Sequence, residues 1–492
     1  MPRSSHQRKP MSNVDHAWLR MDSSSNLMMI VSVFVFETPL DFAVFRARIE
    51  ATLLQYPPFT SRVVREAARA WWERDESFNL DHHLHRVSLP GKADKLELEA
   101  YVADLASTRL DMSRPLWQFQ LVENYQGGQV LIARIHHCIA DGIALVSVML
   151  SMTGGEVNAN VLERNARAKA KFEAAQHAGD DDGSENQWQQ MLQPITDRIV
   201  STLNNTGNFA EKYLSLLTQP ERFNDIGKLV NQFAKDAALL AAMPNDTPTR
   251  LKGKPQSRKA VAWNEPMPLS EVKAVGKALG CSVNDVLMAC AAGAVRSYLL
   301  SLDDTIDDEA DVRAMIPVNL RTPGTEWKLG NKFGLVPLTL PIGIEHPLLR
   351  VLEVRARMNA LKGSTQAVLA QWVLGLVGGT PKPVQKEVLN QLARKATAVM
   401  SNVPGPSGQL TLAGAPLKQI LFWVPQSGDI GLGISILSYN GGVQIGVISD
   451  NKLCPDPQEI CDRFAPEFEK LALGVLLNPW WPEVVSQMSA EH

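Results

Sequence analysis

The sequence predicts an α/β protein of two domains joined by a helical connector. The chain has 492 residues, whereas one hydrophobic core stops growing at about 250–300 residues, so two domains fit better than one. Strand-like and helix-like patterns alternate up to residue 150 and again from residue 260, which is the texture of packed sheets and helices. Between them the chain is rich in Ala, Gln, Asn and charge. These shifts divide it into a disordered tail (1–10), a first lobe (11–155), a helical connector and crossover (156–259) and a second lobe (260–492).

In the first lobe, the apolar run LMMIVSVFVF (27–36) reads as a strand, and Asp41 is placed to cap a helix from Phe42 to Gln55 that Pro57-Pro58 ends. QVLIARIHH (129–137) is a second β-branched run, followed by CIADG and the helical pattern IALVSVMLSM. In the connector, GDDDGSEN (179–186) is the strongest candidate for a disordered loop. RLKGKPQSRK (250–259) follows with five basic residues and no acid, readable equally as a solvated crossover or a phosphate contact. In the second lobe RAMIPVNL and GLVPLTLPI read as strands, and ISILSYNGGVQIGVIS reads as a hairpin turning at Asn440-Gly441-Gly442.

Composition narrows the function classes. A net charge of −3 and a pI near 6.4 favour no nucleic-acid partner. Five scattered cysteines without CxxC spacing argue against a disulfide framework or a zinc ribbon and point to a reducing cytosol. The basic start MPRSSHQRKPM leads into no leader-type apolar segment, and the first apolar run is too short to span a bilayer, so neither a secretion signal nor a transmembrane helix is expected. Surface contact with lipid remains open, with VLAQWVLGLVGG (368–379) and LLNPWWP (476–482) as the contacts to test.

The chemistry is read from HHCIADG. Successive side chains of a strand face opposite sides, so His136 and His137 cannot both face a cleft. A histidine at a strand end is held by the sheet while a ring nitrogen remains free, and its ordinary pKa of about 6.5 suits proton transfer at neutral pH. Gly142 is the residue suited to a tight strand-to-helix turn, which puts Asp141 in the turn. DHHLH (81–85) offers Asp81, His83 and His85 on one strand face as metal ligands, but the strand periodicity around it favours packing, and no metal is expected. No GxSxG elbow, Walker loop or dinucleotide fingerprint is present.

HHxxxDG, matched by His136, His137, Asp141 and Gly142, resembles the signature of acyltransferases with a chloramphenicol-acetyltransferase-like fold. RPLW (114–117), NDVLMA (284–289), PVNLR (317–321), GNKFG (330–334) and SNVPGP (401–406) narrow the resemblance to the bacterial wax ester synthase/acyl-CoA:diacylglycerol acyltransferase family. The resemblance implies two such lobes, each a mixed sheet flanked by helices, with a tunnel between them, acyl-CoA entering one mouth and a long-chain alcohol or diacylglycerol the other. It further implies His137 as general base, His136 in support, direct transfer without an acyl-enzyme, and no cofactor, acyl-CoA being a co-substrate. It makes Asp141 a structural brace facing away from the chemistry and paired with an arginine, for which Arg321 is the candidate. An insoluble product implies a cytoplasmic enzyme held peripherally at the inner membrane face or on lipid inclusions.

Further assignments complete the picture. Ser282 and Asp285 have capping-box spacing at the start of a helix. Asn284 beside them is a candidate donor to the oxyanion of thioester attack, with Ser401 and Asn402 as rivals. Trp117 reads mainly as scaffold, with substrate contact as the lesser reading; Ala144 reads as a small residue on the acceptor channel, so that Ala144→Phe would favour shorter alcohols. Lys252, Lys254 and Arg258 are candidates for the phosphates of coenzyme A. Two other functions compete: a same-fold acyltransferase working on a polyketide or peptide-type acceptor, and a non-catalytic lipid-granule binding protein.

Overall fold

A computed structural model describes residues 8–66, 69–154, 247–321, 329–362, 370 and 393–477. The connector 156–246, the loop 179–186 and most of both suggested lipid-contact segments lie outside these residues. Residues 8–10, expected in a disordered tail, instead form a strand, because Arg8, Lys9 and Pro10 pair antiparallel with Glu73, Trp72 and Trp71.

In chain order the first part holds β1 (Arg8–Pro10), α1 (Asn13–Met21), β2 (Met29–Phe36), α2 (Phe42–Ala51), β3 (Ser61–Glu66), β4 (Arg69–Arg74), β5 (Leu84–Val87), α3 (Lys95–Ser107), β6 (Trp117–Tyr125), β7 (Gly128–His136) and α4 (Gly142–Met152). The second holds β8 (Lys259–Trp263), β9 (Met267–Pro268), α5 (Leu269–Ala278), α6 (Val283–Leu300), β10 (Val312–Asn319), β11 (Phe333–Leu340), α7 (Pro347–Lys362), β12 (Ala398–Pro404), β13 (Thr411–Leu412), β14 (Ala415–Trp423), β15 (Leu432–Tyr439), β16 (Gly442–Asp450) and α8 (Gln458–Leu477). Local chemistry sets several of these bounds. Asp41 Oδ1 accepts from the amides of Ala43 and Val44 at 2.9 and 3.0 Å and starts α2. Asn440 and Gly441, both at positive φ (47° and 77°), make the two-residue turn from β15 to β16. The Ser282–Asp285 capping box opens α6.

The lobes are not contiguous in sequence. One sheet runs β13-β14-β2-β7-β6-β5 and the other β11-β10-β12-β15-β16-β8, with a small β1-β4-β3 sheet beside the first. Thus β13 and β14, from the second half, complete the sheet of the first lobe, Leu421 pairing with Val33 and Phe422 with Ser32. The apolar cores follow the sheets. One packs around β2, β6, β7 and α4, and a second around α6, which is long and apolar enough to cross a bilayer but is mostly buried within the second lobe. A third core joins the lobes, bringing Val102 of α3, Trp263 of β8 and Trp423 of β14 together, with the two indoles 5.9 Å apart.

Candidate active site

His137 follows directly on β7. Its amide donates to the Met28 carbonyl at 2.7 Å, and its own carbonyl accepts from Asn331 Nδ2 at 2.7 Å. The ring stacks on Trp18 with centroids 4.1 Å apart and planes 18° from parallel, and Phe333 lies tilted against it at 5.5 Å. Nδ1 is buried and meets no hydrogen-bond partner among the described residues. Burial lowers the imidazole to about 4, the Asp141 charge opposing, so the ring is a neutral base at neutral pH.

His136 faces the other way. Its Nδ1 accepts from the Cys138 amide at 3.1 Å, which assigns the proton to Nε2, and Nε2 sits 3.9 Å from Asp22 Oδ1, beyond hydrogen-bonding reach. Burial, then the neighbouring His137, lowers His136 to about 3.

Asp141 is the N-cap of α4 and the pivot of the turn. Oδ1 accepts from the Ala144 amide at 3.0 Å; Oδ2 accepts from Arg321 Nη2 at 2.7 Å and from the Lys332 amide at 2.9 Å. Both side chains are sealed, at 6% and 1% exposure for Asp141 and Arg321. A parallel bridge between Ala140 and Gly330 extends the junction, so the turn is sewn to Arg321, Gly330 and Lys332 of the second half. Gly142 departs from expectation: it is the first residue of α4 and is not among the glycines at positive φ, and a Cβ built on it meets nothing within 4 Å. Its smallness leaves open space in the cavity wall; it is not required by the turn.

A narrow cavity of about 160 Å³ runs from His137 between the lobes. Its floor is the inner face of the first sheet, where paired rows descend as Ile135–Ile30 and Ala133–Ser32–Phe422, then Phe34–Ile420 and finally Leu417. Gly142, Leu145, Val146, Met149 and Thr153 of α4 and its C-cap form one wall, and Phe333, Leu335, Val399 and Ser401 another. From Ile30 to the level of Phe36, paired with Leu417, is six residues, or roughly 20 Å of strand; from Gly142 to Thr153 along α4 is roughly 17 Å. A bilayer core of about 30 Å holds two opposed acyl tails, so the lining extends over about the length of one tail.

Several predicted positions fall elsewhere. Ala144 is buried but off the cavity, because at 100° per residue it lies about 200° around α4 from Gly142, whereas Leu145, Val146 and Met149 share the cavity face. Trp117 is core: its Nε1 donates to the Phe59 carbonyl at 2.9 Å and its ring stacks on His83 at 4.6 Å. Asn284 does not line the cavity; its Oδ1 accepts from Asn402 Nδ2 at 2.7 Å, and Asn402 and Ser401 reach the wall instead. Lys254 and Arg258 are exposed and Lys252 half-buried, all outside the lining. In DHHLH, His83 Nδ1 meets the Trp117 carbonyl at 2.8 Å, His85 meets Gln118 at 2.9 Å and Asp81 pairs with Arg46. Among the described residues no cluster of three or more potential metal ligands forms.

Residues 11–287 match the wax ester synthase/diacylglycerol acyltransferase catalytic domain, and residues 329–472 match the WS/DGAT C-terminal domain. The chain belongs to this family. The acyltransferase is 22% identical to O-acyltransferase WSD of Acinetobacter baylyi over 94% of its own length and 96% of that protein's. It is 24% identical to a putative diacylglycerol O-acyltransferase of Mycobacterium tuberculosis, covering 94% and 89% of the two chains. The wax ester synthase/diacylglycerol acyltransferase of Marinobacter aquaeolei superposes with a TM-score of 0.63 at 20% identity, covering 95% of this chain and 100% of that one. The first condensation domain of the calcium-dependent antibiotic synthetase gives 0.57 at 16%, covering 95% and 96%, which places the WS/DGAT lobes in the condensation-type fold.

Sequence reasoning assigned no role to Trp18, Asp15 or Asn331. Asp15 Oδ1 accepts from Asn331 Nδ2 at 2.7 Å and from its amide at 3.2 Å, and burial raises the Asp15 carboxyl to about 6. GNKFG carried Asn331 and Phe333 only as a family segment; the spacing of Ser12 to Asp15 signals a helix start and nothing about the base.

Proposed function

We propose that this acyltransferase moves a long-chain acyl group from acyl-CoA to a fatty alcohol, a diacylglycerol or both, with His137 as the general base. The carrying observation is a neutral imidazole set at the head of an apolar channel one acyl tail long. His137 takes the hydroxyl proton as the alcohol oxygen attacks the thioester carbonyl; the tetrahedral intermediate then expels the thiolate of coenzyme A, which receives that proton from the imidazolium. The ester C–O bond forms, the C–S bond breaks, and no acyl-enzyme intervenes. Ser401, on the wall in the row of Val399, is our choice of donor to the oxyanion. His136 supports the turn, no cofactor or metal takes part, and the phosphates of coenzyme A lie near Lys252, Lys254 and Arg258.

The apolar walls favour a hydrocarbon acceptor over the peptide-type acceptor of condensation domains, which needs polar partners for its amides. Leu473, Leu476 and Leu477 of α8, exposed at 55%, 76% and 76%, form an i, i+3, i+4 stripe that supports peripheral contact with a lipid surface, which in this reading is the inner face of the membrane or a lipid inclusion. The test is thiol release from palmitoyl-CoA with hexadecanol and with dioleoylglycerol. Release with either acceptor that vanishes in folded His137→Ala is expected; undiminished release in that variant refutes the mechanism.

A further inference from the structure

A base that must hold one orientation normally has a carboxylate on its second nitrogen, and His137 lacks one. The motif's own carboxylate is occupied elsewhere: Asp141 serves the Ala144 amide, Arg321 and the Lys332 amide. We infer that Asp15 and Trp18, both on α1, are positioning residues that hold His137 in its reactive orientation in place of an orienting carboxylate. This rests on the reading of His137 as the base.

Two grips act on the same residue. Trp18 covers one ring face at 4.1 Å and 18°, and Phe333, 5.7 Å from Trp18 and 5.5 Å from His137, completes an aromatic triangle that restricts ring rotation. The backbone is fixed separately. Its amide is tied to Met28, and its carbonyl to an Asn331 side chain whose Nδ2 donates to both His137 and Asp15 at 2.7 Å, which sets the amide's orientation. Asp15 and Trp18 are three residues apart and so share a face of α1. That helix is seated by the Ser12 cap at 3.1 Å and by five consecutive buried residues, Asp15 to Leu19.

α1 belongs to the first lobe, whereas Asn331 and Phe333 come from the second half of the chain. The grip therefore closes only when the two halves are docked, so the base is oriented where, and only where, the channel also exists. A displacement of about 1 Å in a reacting group costs on the order of 100-fold in rate, so loosening either grip has a kinetic consequence larger than its effect on binding.

The experiment uses the full chain as Trp18→Phe, Trp18→Leu, Asp15→Asn and Asp15→Ala, with His137→Ala as control and circular dichroism to establish folding. Kinetic constants for palmitoyl-CoA and hexadecanol are measured across pH. Phenylalanine keeps a stacking ring and asparagine keeps the acceptor oxygen, so both should stay within about 5-fold of the parent kcat. Trp18→Leu and Asp15→Ala should lose about 10–100-fold in kcat with both KM values little changed. Removing the indole also admits water beside a ring whose titratable neighbours are Asp141, the neutral His136 and, through Asn331, Asp15. The acid limb of kcat/KM in Trp18→Leu should therefore move up toward the ordinary imidazole value of about 6.5, a shift that loss of folded protein cannot produce. Parent kcat and an unmoved acid limb in Trp18→Leu overturn the inference, as do equal losses in each conservative and disruptive pair. If Trp18→Leu does not fold, the Asp15 pair decides by the same rule. Activity surviving in His137→Ala would instead remove the reading on which this one rests.

Discussion

Replacing Asp141 by alanine removes a carboxylate that serves three donors at once. Its side chain is 6% exposed and that of Arg321 1%, so the variant leaves a guanidinium buried beside a missing partner, a change that costs about 3–5 kcal/mol. Losing the cap on the Ala144 amide adds about 1 kcal/mol. The sum, about 4–6 kcal/mol, corresponds to a fall in melting temperature of about 10–20 °C for a lobe of roughly 200 residues. Differential scanning fluorimetry reads the melting temperature and thiol release reads activity below it. A proton-relay role and a bracing role then separate cleanly. Asp141→Asn keeps a capping oxygen while losing the charge, so a brace predicts an intermediate fall in melting temperature accompanied by a partial fall in kcat. Adding Arg321→Met to Asp141→Ala removes the stranded charge and should recover a substantial part of both. If Asp141→Ala melts within about 2 °C of the parent and keeps near-normal turnover, the bracing argument is wrong.

Three further outcomes follow from the site. Ser401→Ala should lower kcat by about 100-fold if its hydroxyl meets the oxyanion; an unchanged kcat in steady-state assays returns that role to the neighbouring Asn402. Met149 lies seven residues, roughly 10 Å, along α4 from Gly142, so Met149→Trp should cut turnover of hexadecanol while sparing octanol, and an unaltered alcohol profile would place the channel elsewhere. The pH dependence of stability has a definite sign. His136 and His137 are lowered to about 3 and about 4, so they stabilise above about pH 6.5 and that stability is lost as pH falls below it. Asp15, raised to about 6, contributes the opposite trend between about pH 6 and pH 4. His83, also lowered, adds to the histidine trend, whereas Asp22 and Glu99, both raised by burial, oppose it, so the variant isolates the contribution of His137: from pH 7 to pH 5 urea unfolding should show the parent losing roughly 2 kcal/mol more stability than His137→Gln, and equal losses in the two contradict the burial argument.

Much of the fold was legible because it is local. LMMIVSVFVF, QVLIARIHH and ISILSYNGGVQIGVIS carry their strand assignment in β-branched periodicity and, in the last, in a turn that two positive-φ residues require. What was illegible is partner choice. APLKQILFW, which forms β14, is not among the runs the sequence marks as strands, and nothing within it says that its partner is β2, some 385 residues earlier, and not the sheet of its own half (Leu421 pairs with Val33). The same blindness affected residues 8–10, whose pairing with β4 supplies the hydrogen bonds that composition alone gave no reason to expect.

The site divides along the same line. Strand alternation separated His136 from His137, and helical periodicity, had it been applied to α4, would have moved the wall from Ala144 to Leu145, Val146 and Met149. The contacts around His137 and Asp141 are long-range: Asp141 to Arg321 spans 180 positions and Asp15 to Asn331 spans 316. HHxxxDG is read as one local unit, but only its histidine chemistry is local. The aspartate pairs with an arginine of the other half, and His137 is packed between an indole from residue 18 and a phenyl ring from residue 333. On the proposed reading a motif of this kind specifies a reaction class while the docked halves orient its histidine, so Trp18→Leu, which keeps all seven motif residues, should still be slow.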